Sequence, residues 1–83
     1  MERPEWVREP VQTLDARAMI ASGDHPFSRV MGGLDALNPG EVYLLVTPFV
    51  PAPLVNAAKE KGFAAWSDSS EAEEVKTWFT KAF

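Results

Sequence analysis

The segment Glu41-Val42-Tyr43-Leu44-Leu45-Val46 constrains this chain more than any other. It is a near-continuous apolar run of strand formers between two breakers. Asn38-Pro39-Gly40 turns the chain before it, and Thr47 to Pro53 after it contains three prolines. A run without polar alternation reads as a central strand, buried on most of both faces. The 83 residues leave room for one such core, so the chain is expected to be one domain. A chain of this size buries only about 60–65% of the surface its unfolded form exposes, and its expected stability is about 4–12 kcal/mol.

The flanking segments supply partners for that strand. Val11 to Ala16 alternates apolar and polar residues and predicts a short strand. Arg17 to Gly23 reads as a loop. Asp24 suits a helix N-cap and Pro26 a first helical turn. Phe27, Val30, Met31, Leu34 and Leu37 then share one helical face. Gly32 and Gly33 weaken that helix by roughly 1–2 kcal/mol relative to Ala, and close packing on a sheet is the simplest reason for them. Pro53 to Lys61 predicts a second helix with Gly62 at its C-terminal cap, and Phe63 to Ser67 a third strand. The tail is divided. Ser70-Glu71-Ala72-Glu73 fits a capping box before a helical face of Val75, Trp78, Phe79 and Ala82, whereas Val75 to Thr80 also suits a strand behind an acidic loop from Asp68 to Glu74. Met1 to Pro10 carries two prolines and five charges and reads as a frayed arm, with Trp6 as its one candidate for docking. The expected domain runs from 11 to 83. Each strand–helix–strand crossover should bring parallel strands together, with both helices on one sheet face.

Composition narrows the function. Eight Lys and Arg against twelve Asp and Glu leave a net charge of −4, which argues against nucleic acid and against an anionic membrane surface. No cysteine is present, so disulfides, thiolate zinc sites, iron–sulfur clusters and a protein-borne persulfide are excluded. The opening Met1-Glu2-Arg3-Pro4-Glu5-Trp6 has no apolar core of a secretory signal, and the apolar run from Val42 to Val46 is far short of a membrane span. The expected compartment is the cytoplasm.

In an α/β unit each helix starts at the carboxyl end of the preceding strand. The loops Arg17 to Asp24 and Thr47 to Pro53 should therefore share one sheet edge, where ligands often bind. Arg17, Asp24, His25, Thr47 and Phe49 are the candidate ligand-binding residues there, suited to a small anion or an acidic side chain. The plainer alternative is that Asp24 caps its helix and Arg17 pairs with Asp15 or Asp24. His25 is the only histidine, too few ligands for a protein-only metal site, although one histidine can serve a haem or a shared metal. Ser28, His25 and Asp24 lie on one helical turn and cannot form a catalytic triad with a separate oxyanion hole. Tyr43, Trp66, Trp78, Phe79 and Phe83 are too many for one small core face. Tyr43, Trp66 and Trp78 are the candidate interface residues on the uncovered side of the sheet.

Leu14-Asp15-Ala16-Arg17, Asp24-His25-Pro26, Leu34 to Glu41 and Thr47 to Leu54 occur in that order. Together they resemble domain-of-unknown-function family 2249, small bacterial and archaeal proteins related to the TusA/SirA sulfur carriers, over about Thr13 to Thr80. The resemblance implies a βαβαββ two-layer α/β sandwich, with two helices on one face of a four-stranded mixed sheet, and tips Val75 to Thr80 towards a strand. TusA-like carriers open the first helix with Cys-Pro-x-Pro. Here Pro26 matches the second proline, and the cysteine position falls near Ser22 or Gly23, so the sulfur-relay activity is not carried over. Such domains also occur beside haemerythrin-like and other redox-associated domains, which implies a setting in redox, sulfur or nitrogen metabolism.

The expected function is a non-enzymatic TusA-like module that binds a partner protein or itself. The alternative is a small-anion, metal or haem sensor at the edge around Arg17 and His25. An enzyme dependent on Arg17 has the least support.

Overall fold

The computed structural model describes residues 3–24 and 26–81. The apolar run forms one strand of a four-stranded sheet. In order, the elements are β1 (Gln12–Asp15), α1 (Arg17–Ala21), α2 (Phe27–Asp35), β2 (Val42–Thr47), α3 (Ala52–Glu60), β3 (Phe63–Glu71) and β4 (Glu74–Lys81). Five of the six β2 residues are buried. β1 pairs parallel with β2, and β4 pairs antiparallel on the other side. β3 pairs with β4, giving the order β1-β2-β4-β3. The sheet is mixed and open, and with the helices on one side it makes a two-layer sandwich. The crossover through α3 brings β3 parallel to β2 but not beside it. The antiparallel β4 fills the slot between them, so only the β1/β2 crossover joins neighbouring parallel strands.

Strand alternation sorts the side chains between two faces. Tyr43, Leu45 and Phe79 face the helices and form the core with Val30, Met31, Leu34, Leu54, Ala58 and Phe63. Leu44, Trp78 and Trp66 lie in register across the opposite face. The buried threonines are satisfied: Thr80 Oγ1 donates to the Glu41 carbonyl at 2.8 Å, and Thr77 and Ser67 share a hydroxyl contact of 2.9 Å.

Several expectations need correction. The stretch from Arg17 is a short helix rather than a loop, and Ile20 packs against the core from it. The described residues therefore form three helices, not two. Asp24 does not cap α2; Pro26 occupies that position, and its carbonyl accepts from the Val30 N–H at 2.9 Å. The Asp24 N–H instead donates to the Met19 carbonyl at 3.0 Å and closes α1. The acidic stretch is mostly strand. β3 and β4 are joined by Ala72 and Glu73 alone, with an irregularity between Asp68 and Glu71 and a left-handed Glu73 at φ 59°. The expected helical face of the tail is β4, and Ala82 and Phe83 lie outside the described residues. Tyr43 is not on the uncovered face. Its neighbour Phe79 and helix α2 enclose it, and it is 1% exposed. Pro4, Trp6 and Val7 are half-buried, and the Val11 N–H donates to the Val42 carbonyl at 2.9 Å.

The two helical glycines have different reasons. A Cβ on Gly33 would stand 2.5 Å from Tyr43 Cε2, while one on Gly32 would meet nothing within 4 Å. Gly33 lets α2 approach the buried ring of Tyr43. Gly33→Ala should cost about 1–3 kcal/mol through overpacking, and Gly32→Ala should gain about 0.5–1 kcal/mol from helix propensity. Urea denaturation of the two variants beside the parent checks both the sign and the contrast.

Candidate functional site

The carboxyl ends of β1 and β2 both open towards one edge of the sheet. The loop after β1 is shaped by a local ion pair. Arg17 donates from its backbone N–H and from Nε to Asp15 Oδ1, at 3.1 and 3.0 Å, and from a terminal nitrogen to Oδ2 at 2.7 Å. That bidentate clasp starts α1 directly after the strand. α1 ends in a Schellman motif: the Gly23 N–H donates to the Ile20 carbonyl and the Asp24 N–H to that of Met19, each at 3.0 Å. Gly23 has φ +91°, which favours glycine. The loop after β2 is held by the Thr47 hydroxyl, which donates to the Phe49 carbonyl. Pro51 and Pro53 then lead into α3.

These loops meet around a cavity of about 290 Å³. Its walls come from Ile20, Gly23 and Asp24 on one side, Pro26 and Phe27 at the start of α2, and Thr47, Phe49, Pro51, Pro53 and Leu54 on the other. The lining is almost wholly apolar. Phe27 and Phe49 stand 45% and 52% exposed at this edge, and Val50 beside them is 51% exposed. Thr47 is fully buried, and its proton is committed to the Phe49 carbonyl.

Of the residues singled out in the sequence, Asp24, Thr47 and Phe49 come together at this cavity. Arg17 does not line it. It belongs to a separate shallow depression with Asp15, Ala18, Pro48 and Glu73. Its guanidinium is matched by Asp15 and also lies 3.7 Å from Glu74 Oε2. The plainer sequence alternative, pairing with Asp15, is what the structure shows. His25 lies outside the described residues. Trp66 and Trp78 share the other sheet face, away from the cavity, with ring centroids 5.3 Å apart.

Sequence reasoning missed Ile20, Leu54 and the outward set of Phe27. The short apolar run Ala18-Met19-Ile20-Ala21 between Arg17 and Ser22 was the available signal for the first. Phe27 fits the helical stripe, but at the first turn that stripe runs past the edge of the sheet. Ser22 and Gly23 serve here to end α1: Ser22 Oγ donates to the Met19 carbonyl at 3.0 Å. No group of three or more metal-ligating side chains occurs among the described residues.

The family model for an uncharacterized conserved protein, DUF2249, matches residues 13–81, so the chain belongs to that family. No curated protein and no solved structure matches it. The match begins within β1 and ends with β4, so it spans the sheet and all three helices, and the arm lies outside it.

The ion pair leaves a pH signature. The Arg17 hydrogen bonds hold the Asp15 carboxyl below the ordinary carboxylate range, and Asp15 raises the Arg17 guanidinium further. A depressed folded-state value contributes stability above the unfolded value, and that contribution is lost as pH falls through the folded one. Both side chains are largely exposed, so the effect on stability is small. Arg17→Ala should return the Asp15 carboxyl upwards towards its ordinary value, read from its ¹³Cγ resonance between pH 2 and 6. An unmoved midpoint would count against the clasp.

Proposed function

We propose that this domain is a non-catalytic interaction module that takes an apolar side chain of a partner protein, or of a second copy, into the edge cavity. The observation that carries this reading is the cavity's lining. Ile20, Pro26, Pro51 and Leu54 form an apolar floor, and two half-exposed phenylalanines stand at the rim. Exposed aromatics around an apolar recess are the usual anchors of protein recognition. The polar side chains at the cavity are few: Asp24 is exposed, and Thr47 is spent on its own loop. That supports binding over turnover. Arg17 faces two carboxylates, which weighs against the small-anion alternative. This reading takes the cytoplasm as its setting and, from the redox-associated domains that occur beside such modules, redox, sulfur or nitrogen metabolism as its context.

Titration with N-acetyl-phenylalaninamide and, separately, with inorganic phosphate tests it by ¹H–¹⁵N correlation spectra. The amide should move the resonances of Ile20, Phe49 and Leu54 with a Kd of about 1 mM, and phosphate should move none. Phe49→Ala should weaken the amide about fivefold, equivalent to about 1 kcal/mol of lost contact. Phosphate shifts at Arg17 and from Thr47 to Phe49, with none from the amide, would overturn the reading in favour of an anion site.

A further inference from the structure

The face of the sheet opposite the helices carries a second arrangement, independent of the cavity. Trp66 and Trp78 are directly paired across β3 and β4, with their rings tilted by 37°. The guanidinium of Arg3 stands 5.0 Å from the Trp78 centroid and 5.8 Å from that of Trp66. One cation is thus shared by two indole faces. Asp68 is two residues beyond Trp66 on the same face, near enough to Arg3 for the guanidinium to act on its carboxyl. Ser70 holds that carboxyl below its ordinary range through hydrogen bonds, with smaller contributions from Arg3 and Lys76. The Trp66 indole N–H is buried and finds no acceptor among the described residues. The site therefore offers two aromatic faces and a carboxylate for a cation, with a buried, unpartnered indole N–H beneath the arm's position.

We propose that the Trp66/Trp78 face is a docking surface for an arginine-bearing segment of a partner protein, and that Arg3 occupies it as the chain's own stand-in. The occupant is defined by what the site already holds. A guanidinium sits over both rings, and a backbone carbonyl beside it would satisfy the orphaned N–H. Charge agrees with this choice. The chain is net negative, and Asp68, Glu71, Glu73 and Glu74 cluster on the adjoining hairpin. Arg3 is exposed and tethered only through a short arm, so it can leave without disturbing a helix or strand. Its tethering makes it a competitor that an incoming segment must displace.

The test uses the full chain, with Arg3→Ala beside the parent. The probe is an acetylated, amidated Gly-Arg-Gly peptide, with its citrulline counterpart as a neutral isostere. The readout is the indole N–H resonances of Trp66 and Trp78. The arginine peptide should bind Arg3→Ala about 3- to 30-fold more tightly than the parent, the range that one lost cation–π competitor allows. The citrulline peptide should bind neither. Equal binding of the two peptides, no gain on removing Arg3, or shifts confined to the edge cavity would each overturn the proposal. A parent dimer in sedimentation that Arg3→Ala dissociates would also overturn it, assigning the face to the arm of a second copy.

Discussion

Everything in this small fold depends on β2 being buried on both of its faces. A strand in that position needs a neighbour on each edge and a cover on each side. β1 and β4 supply the neighbours, and the three helices cover one side through Tyr43 and Leu45. The tightest point of that cover is the approach of α2 to the Tyr43 ring, which only a glycine at position 33 permits. On the other side no helix packs among the described residues, yet Val42, Val46 and Trp78 are buried. There the paired tryptophans and the N-terminal arm share the work, with Arg3 over the rings. Just beyond the buried carboxyl end of β2 at Thr47, the chain turns outwards and Phe49 stands exposed at the cavity.

The edge cavity and the tryptophan face are therefore two consequences of one constraint. The loops at the carboxyl ends of β1 and β2 must leave the sheet and start helices. They do so with locally closed devices: the Asp15–Arg17 clasp, the Schellman end of α1 and the Thr47 hydroxyl bond. These devices consume the polar groups of the edge. The apolar residues between them, Ile20, Phe27 and Phe49, are left to line the opening. An edge that looks in the sequence like an anion site thus becomes an apolar one.

The sequence carried the features set by local pattern. The β2 run, the α2 stripe of Val30, Met31 and Leu34, and the α3 segment are legible because burial imposes their periodicity. The parity of β2 is not legible, because a run apolar on both faces does not say which side receives the helices; Tyr43 is for that reason on the opposite face from the one expected. α1 is too short to show a periodic face, and its bracket of Asp15 and Arg17 looks like ordinary surface charge. The tail was ambiguous because Ser70 to Glu73 satisfies a helix signal locally. The slot between β2 and β3 overrides it, since β4 gains two strand partners there. Of the site, the meeting of Asp24, Thr47 and Phe49 follows from topology. The position of Arg3 does not, because it depends on the register that sets Trp66 against Trp78.

The central claim is that the carboxyl edge of the sheet is an apolar recess open to a partner's side chain. Xenon tests it most directly, because xenon enters apolar cavities and ignores charge. In a ¹H–¹³C methyl spectrum under a few atmospheres of xenon, the Ile20 and Leu54 methyls should shift, and Val42 and Leu44 on the opposite face should not. Unmoved Ile20 and Leu54 methyls, in a protein whose other resonances show it folded, would contradict it.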